Sequence, residues 1–275
     1  MSWPKSVLFP KFGVSAFAAL SLFVGGCAGS DETGDETGET DDQVVPLAIV
    51  GDWAEVAGSF PTLEVWGYHA IDDALWTDAF GSTYAIAQYD NDAGFVIAQN
   101  DASNPYYPDA WSRFDVTSDG DGGWYYCQTA FAAASEADAL ATPSADDSDP
   151  ATTGCGTFPW SHLIATLPVT GVWDDGFSVH HVDEATWGMG DDTFAIFDVD
   201  FAASFLIAQN ASDNAFNPGK WSRFDWVIAG TDVSYCQAAY DAETAEAAAA
   251  ISADHTDLAA GCGGFAWSTL TATAD

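Results

Sequence analysis

Positive charge is nearly absent from this 275-residue chain, which holds 5 Lys and Arg against 42 Asp and Glu for a formal net charge of −37. That scarcity excludes nucleic-acid binding, because affinity for a phosphate backbone comes mainly from Lys and Arg that neutralise it. Ion pairs can satisfy only a few of the carboxylates. Most acids must therefore sit solvated on the surface, where they confer solubility and repel one another over about 8 Å at physiological salt. Beyond Val24 no stretch is continuously apolar for the roughly 20 residues a membrane-spanning helix needs. No Cys-x-x-Cys pair occurs, so zinc-site spacing is missing. A nucleophile elbow is missing too, and no organic cofactor is indicated.

What the chain does have begins at its first residues. Met1 to Lys11 carries Lys5 and Lys11 and no acid, Phe12 to Val24 is apolar, and Gly25-Gly26-Cys27 follows. Residues 1–26 read as a secretory signal peptide. Val24-Gly25-Gly26-Cys27 resembles the lipobox of bacterial lipoproteins, which implies cleavage before Cys27 and lipid attachment to it. The expected address is exported and lipid-anchored, with the acyl chains as the membrane contact. Ala28 rather than Asp follows the cysteine, which by the same resemblance implies the outer membrane or cell surface. Residues 27–47 then form an acidic, disordered tether without bulky apolar side chains through Asp42. Cleavage also removes Lys5 and Lys11, leaving Arg113, Lys220 and Arg223.

The remainder is one unit written twice. Trp111-Ser112-Arg113-Phe114-Asp115 recurs as Trp221-Ser222-Arg223-Phe224-Asp225, Tyr126-Cys127-Gln128 as Tyr235-Cys236-Gln237, and Ile97-Ala98-Gln99-Asn100 as Ile207-Ala208-Gln209-Asn210. Upstream, His69 aligns with His180, Trp76 with Trp187, and Gly58 with Gly171; downstream, Gly154-Cys155-Gly156 aligns with Gly261-Cys262-Gly263. Module one is expected over 48–166 and module two over 167–275, as two beads in series. Apart from Cys27 there are four cysteines, which allow three pairings. If each module is self-contained, the repeat selects Cys127–Cys155 and Cys236–Cys262, which an oxidising compartment permits.

Within each module the pattern is mostly strands. Thr193 to Phe197 and Ser204 to Ala208 suit one hairpin, and Trp221 to Ile228 with Val233 to Ala238 another. Phe131 to Ala141 and Asp241 to Ser252 are rich in Ala and acids, which favours a helix. The expected class is β-rich α+β: two tandem homologous modules, each an antiparallel meander with one Ala-rich helix, stapled by a disulfide. This order of motifs resembles modules in predicted lipoproteins of bacteria whose function is uncharacterised, over about residues 56 to 272. The resemblance implies a shared fold and no particular chemistry.

The sharpest candidate site is the row Trp111, Arg113, Asp115 and its copy Trp221, Arg223, Asp225. Alternation along a strand puts each trio on one face. Such a row can serve as a ligand platform for sugars, or as a structural ladder in which Arg stacks on Trp and pairs with a carboxylate. Asn100 and Asn104, with Asn210 and Asn214, read as turn caps that bond local backbone. Asp90-Asn91-Asp92 and Asp119-Gly120-Asp121 are turn sequences that also offer oxygens of the kind Ca²⁺ takes, so calcium is the one candidate ion. His69 and His180 each precede an acid, Asp72 or Asp183, by three residues, and Ser112 and Ser222 recur, an inventory without a catalytic signature. His180-His181 alternate, which sends their imidazoles to opposite faces.

The expected role is a non-catalytic binding or scaffolding protein of the cell envelope, with a carbohydrate or a protein as ligand. The alternatives are a secreted hydrolase of extracellular polymers and a calcium-dependent adhesive or carbohydrate-binding module.

Overall fold

The computed structural model describes residues 45–273; the signal peptide, the lipobox with Cys27 and nearly all of the acidic tether lie outside them. Two eight-stranded antiparallel barrels follow one another in the chain. The first is β1 (Gly51–Ala57), β2 (Glu64–Ile71), β3 (Leu75–Thr77), β4 (Thr83–Asp90), β5 (Phe95–Asn100), β6 (Trp111–Ser118), β7 (Trp124–Ala133) and β8 (Ser161–Ala165), with the helix α1 (Glu136–Leu140) between the last two. The second is β9 (Gly171–Asp174), β10 (Val179–Val182), β11 (Thr186–Met189), β12 (Asp192–Asp200), β13 (Phe205–Asn210), β14 (Trp221–Ala229), β15 (Asp232–Ala242) and β16 (Ser268–Ala272), with α2 (Ala245–Ala249) before its last strand. The meander expected from sequence is present, but it does not stay open. β1 pairs with β8, Val56 opposite His162, and β16 pairs with β9, Thr271 opposite Asp174. Closure leaves neither sheet with a free edge strand.

Alternation fills the interiors. In β5 to β7 the inward residues are Val96, Ala98 and Asn100, then Ser112, Phe114 and Val116, then Trp124, Tyr126 and Gln128. Eight strands leave an interior about wide enough for side chains to fill. Here Trp76 stacks on Phe114 with centroids 4.5 Å apart, and Trp187 on Phe224 at 4.6 Å. One end of each barrel is stoppered by the segment before its first strand. Leu47 and Ile49 enter the first core, and Leu167 and Val169 the second. Carboxylates of the β2–β3 and β10–β11 turns hold these stoppers: Leu47 N donates to Asp73 Oδ1 at 2.9 Å, and Leu167 N to Glu184 Oε1 at 3.1 Å.

The stopper corrects one alignment. Trp53 Nε1 donates to Ile49 O and Trp173 Nε1 to Val169 O, both at 2.9 Å, so Trp53 matches Trp173 and Gly51, not Gly58, matches Gly171. Both glycines have φ in the positive region, 154° and 140°. A Cβ on Gly51 would meet the Trp53 ring at 3.1 Å.

The helices are shorter than composition suggests. Each spans 5 residues, because β7 and β15 run on through Ala133 and Ala242. Alanines that would suit a helix instead pack flat: Ala239 and Ala242 lie buried against Ile207 with Ala248 of α2. Burial on the barrel wall outweighs the few tenths of a kcal/mol per residue that propensity contributes. The helices begin only at Ser135 and Thr244, whose side chains cap Asp138 N and Ala247 N. The two disulfides join the expected partners, Cys127–Cys155 and Cys236–Cys262.

The barrels are not separate beads. Phe60, in the β1–β2 loop, reaches Phe197 at 5.0 Å and Trp221 at 5.8 Å. Tyr68 Oη donates to Glu184 Oε2 at 3.0 Å.

Candidate functional site: buried latches and exposed aromatic rims

The Trp-Arg-Asp rows face outward from their barrels, but α1 and α2 cover them. Arg113 donates from Nε and Nη2 to Asp115 Oδ1 at 3.0 and 2.8 Å, from Nη2 to Ser144 Oγ at 2.7 Å, and from Nη1 to Leu140 O at 3.1 Å. Arg223 donates from Nε to Asp225 Oδ2 at 2.8 Å, from Nη2 to Oδ1 at 2.7 Å, and from Nη1 to Ala249 O at 2.8 Å. Each guanidinium therefore binds a carboxylate and a carbonyl at the end of the short helix. The aromatic beneath it is a phenylalanine, not the expected tryptophan: Phe95 at 4.7 Å and Phe205 at 3.7 Å. Arg113, Asp115, Arg223 and Asp225 are all buried, while Trp111 and Trp221 are half-buried, Trp221 against Phe60. These rows latch the helical segment to the wall; as placed, they are not an open ligand platform.

His69 and His180 sit inside the barrels. Trp76 Nε1 donates to His69 Nδ1 at 3.0 Å, His69 Nε2 lies 3.0 Å from Glu55 Oε2, and Tyr126 Oη donates to the same oxygen at 3.2 Å. The second barrel repeats this with Trp187 Nε1 on His180 Nδ1 at 3.0 Å and Tyr235 Oη on Asp175 Oδ2 at 2.8 Å. Asp175 Oδ2 is 3.3 Å from His180 Nε2, near enough for an ion pair, yet Nε2 has no hydrogen-bond partner. An indole N–H can only donate, so each Nδ1 must accept and the single ring proton belongs on Nε2. Burial raises the Glu55 carboxyl, but bonds from His69, Ser161 and Tyr126 outweigh it and hold its pKa below the ordinary 4.5. Burial pulls His180 below 6.5 despite Asp175. It pushes both tyrosines up, with their carboxylate neighbours acting in the same sense.

No Ser-His-Asp arrangement is assembled from the recurring residues. Asp72 accepts from Ala74 N and Leu75 N, and Asp183 from Ala185 N and Thr186 N, so both cap turns. Ser112 and Ser222 belong to a different network, described below. His181 is exposed whereas His180 is buried, as alternation requires. Asp90 caps its own turn through Asp92 N and Ala93 N, and Asn91 bonds Ala48 N and Pro46 O of the stopper. Asp119 accepts from Asp121 N and Gly123 N and pairs with His162 at 3.0 Å. Among the described residues no three His, Cys, Asp or Glu gather into a metal-holding group.

At the end opposite the stopper the interior turns polar. Gln128 Nε2 donates to Ser112 Oγ at 3.0 Å, Ser112 Oγ to Asn100 Oδ1 at 2.6 Å, and Asn100 Nδ2 to Tyr107 O at 2.9 Å and Phe131 O at 3.1 Å. Gln237, Ser222, Asn210, Asn217 O and Tyr240 O repeat the chain at 3.1, 2.6, 2.8 and 3.1 Å. Asn100 and Asn210 are thus interior clamps between two rim segments, beyond the local turn caps expected. Asn104 and Asn214 each bond both backbone groups of a strand residue, Thr83 or Thr193.

The clamped segments carry exposed aromatic rings. Tyr106 is 77% exposed and Phe216 76%, with Tyr107, Phe131 and Tyr240 about the mouths beside them. Tyr107 and Phe131 lie 5.3 Å apart. Between Phe216 and Tyr240 opens a depression of 320 Å³ that Asn210, Gln237 and Asp192 also line. Sequence reasoning missed this rim, although Asn, Ser and Gln recur in both copies at inward positions, where an unpaired polar group would be costly.

Comparison of the chain with known protein families, with curated proteins and with solved structures returned no match.

Proposed function

We propose that this is an exported, lipid-anchored envelope protein of non-catalytic, binding type, whose two barrels present aromatic rims to a carbohydrate polymer. The observation that supports the reading is the rim built twice: exposed rings on segments held by a buried Gln–Ser–Asn chain. Rigid aromatic faces beside amide and carboxylate groups suit a sugar ring, which offers an apolar face and a girdle of hydroxyls. The filled interiors leave ligand recognition to the outside. Two sites on one chain favour a repeating ligand, because the second contact is made at high effective concentration.

A glycan array probed with the full mature chain in maltoside detergent tests this, followed by titration of any hit. Phe216→Ala with Tyr240→Ala should weaken binding about tenfold, as loss of two stacking faces and of bivalency predicts. Unchanged binding by that variant, or no glycan bound by the parent, rejects the rim as the site.

A further inference from the structure

A second, chemically different site lies on the flank of the first barrel. β8 pairs with only the first three residues of the much longer β7, ending at Tyr126 opposite Ser161, and with Trp53 to Val56 of β1. Beyond Ser161 the wall between β1 and β7 is therefore not closed by strand pairing. A cleft of 370 Å³ opens there, lined by Trp66, Tyr125, Phe158, Trp160, His162 and Glu55 among others. Trp66 is 61% exposed and Phe158 71%, and Tyr125 stacks on His162 at 4.5 Å.

The charge at this cleft is one-sided. Glu55 is 5% exposed, and its carboxyl is held ionised at neutral pH. Its two closest partners, His69 Nε2 and Tyr126 Oη, donate hydrogen bonds while His69 Nδ1 is occupied as an acceptor by Trp76. Glu55 thus receives hydrogen bonds without a fixed cation, and in a poorly solvated site its field is weakly screened. Burial pushes the Tyr125 hydroxyl above its ordinary value, and the charges of Asp119, Asp121 and Asp149 act in the same sense. Arg113, the one fixed cation of this barrel, is committed to Asp115 beneath α1.

We propose that this cleft binds an organic ammonium ion, of the quaternary or alkylated class, by the aromatic faces of Trp66, Tyr125, Phe158 and Trp160 in the field of Glu55. Such an ion is attracted to ring faces and is weakly hydrated, so it enters an apolar cleft at little desolvation cost. A neutral ligand lacks the charge attraction to the carboxylates, and an anion is repelled by them. The second barrel keeps exposed rings at Phe177 and Phe265 but places Ser234 and Thr269 where the first has Tyr125 and His162, so the site belongs to the first barrel alone.

The test titrates the full mature chain in maltoside detergent with choline chloride and with its neutral carbon isostere, 3,3-dimethylbutan-1-ol. Ionic strength is held constant with NaCl, and binding is read by saturation-transfer NMR and tryptophan fluorescence. Choline should bind saturably and about tenfold more tightly than the isostere. Trp66→Ala and Phe158→Ala, both surface changes compatible with folding, should each weaken choline severalfold, and Phe177→Ala should leave it unchanged. Equal affinity for the isostere, no saturable binding of choline, or indifference to Trp66→Ala and Phe158→Ala overturns the proposal. The rim and the cleft share no residue, so failure of one leaves the other standing.

Discussion

Replacing Arg223 by Met isolates the energetics of the latch that holds α2 to its barrel. Met keeps most of the apolar stem, while the variant loses the guanidinium over Phe205, both bonds to Asp225 and the bond to Ala249 O. Asp225 is 0% exposed, so its carboxylate stays buried with His255 Nε2, 3.0 Å away, as a remaining hydrogen-bond partner. Removing one member of a buried ion pair costs about 3 to 5 kcal/mol, and His255 places this site near the lower end. With urea slopes of about 1 to 3 kcal/mol/M, the unfolding midpoint should fall by about 1 to 3 M. Tryptophan fluorescence in urea, without reductant, measures it. Adding Asp225→Leu to Arg223→Met should recover more than half of the loss, because an apolar pair of similar volume is often as stable as a buried ion pair. A single variant within about 0.5 kcal/mol of the parent, the size of an ordinary surface change, would refute the latch. So would a double variant weaker than the single one.

Acid should destabilise the fold in two stages. His180 has a folded pKa below its ordinary 6.5, so the unfolded chain binds the proton first and stability falls as pH drops below that value; Glu55, also depressed, extends the loss as pH falls below 4.5 toward its folded pKa. His180→Gln should flatten the urea-midpoint profile between about pH 5 and 7, and an unchanged slope there would show that His180 does not supply it. Cys27→Ser should move the protein from the membrane to the soluble fraction, since acyl chains would be its principal attachment; persistent pelleting with membranes would contradict lipidation.

Much of the architecture could be read because duplication makes each copy a check on the other. The disulfide pairing and the β12–β13 and β14–β15 hairpins follow from residues close in sequence or repeated. Barrel closure was not legible, since the β1–β8 and β9–β16 pairings join the ends of a copy and leave no local signal. The start of each copy did carry a local signal, since Leu47-x-Ile49-x-Gly51-x-Trp53 and Leu167-x-Val169-x-Gly171-x-Trp173 share Leu, Gly and Trp at one spacing, whereas matching Gly58 to Gly171 rests on a single identity. The Trp-Arg-Asp rows were assigned to one face correctly, but alternation cannot say that a helix will cover that face. Phe95 and Phe205 reach the guanidinium from the neighbouring strand, opposite Asp115 and Asp225, a placement set by register. The rims escaped notice because a loop aromatic reveals its exposure only once the barrel that supports it is closed.

One filled barrel is built twice, and the proposed function lies on its outside. Long-range ¹H–¹⁵N correlation spectra of the full chain report directly on the two central rings. In both His69 and His180 the proton should sit on Nε2, with Nδ1 accepting from Trp76 or Trp187. A proton on Nδ1 of either ring, or tautomers in fast exchange as for a solvated imidazole, would mean that the interior is not packed as described.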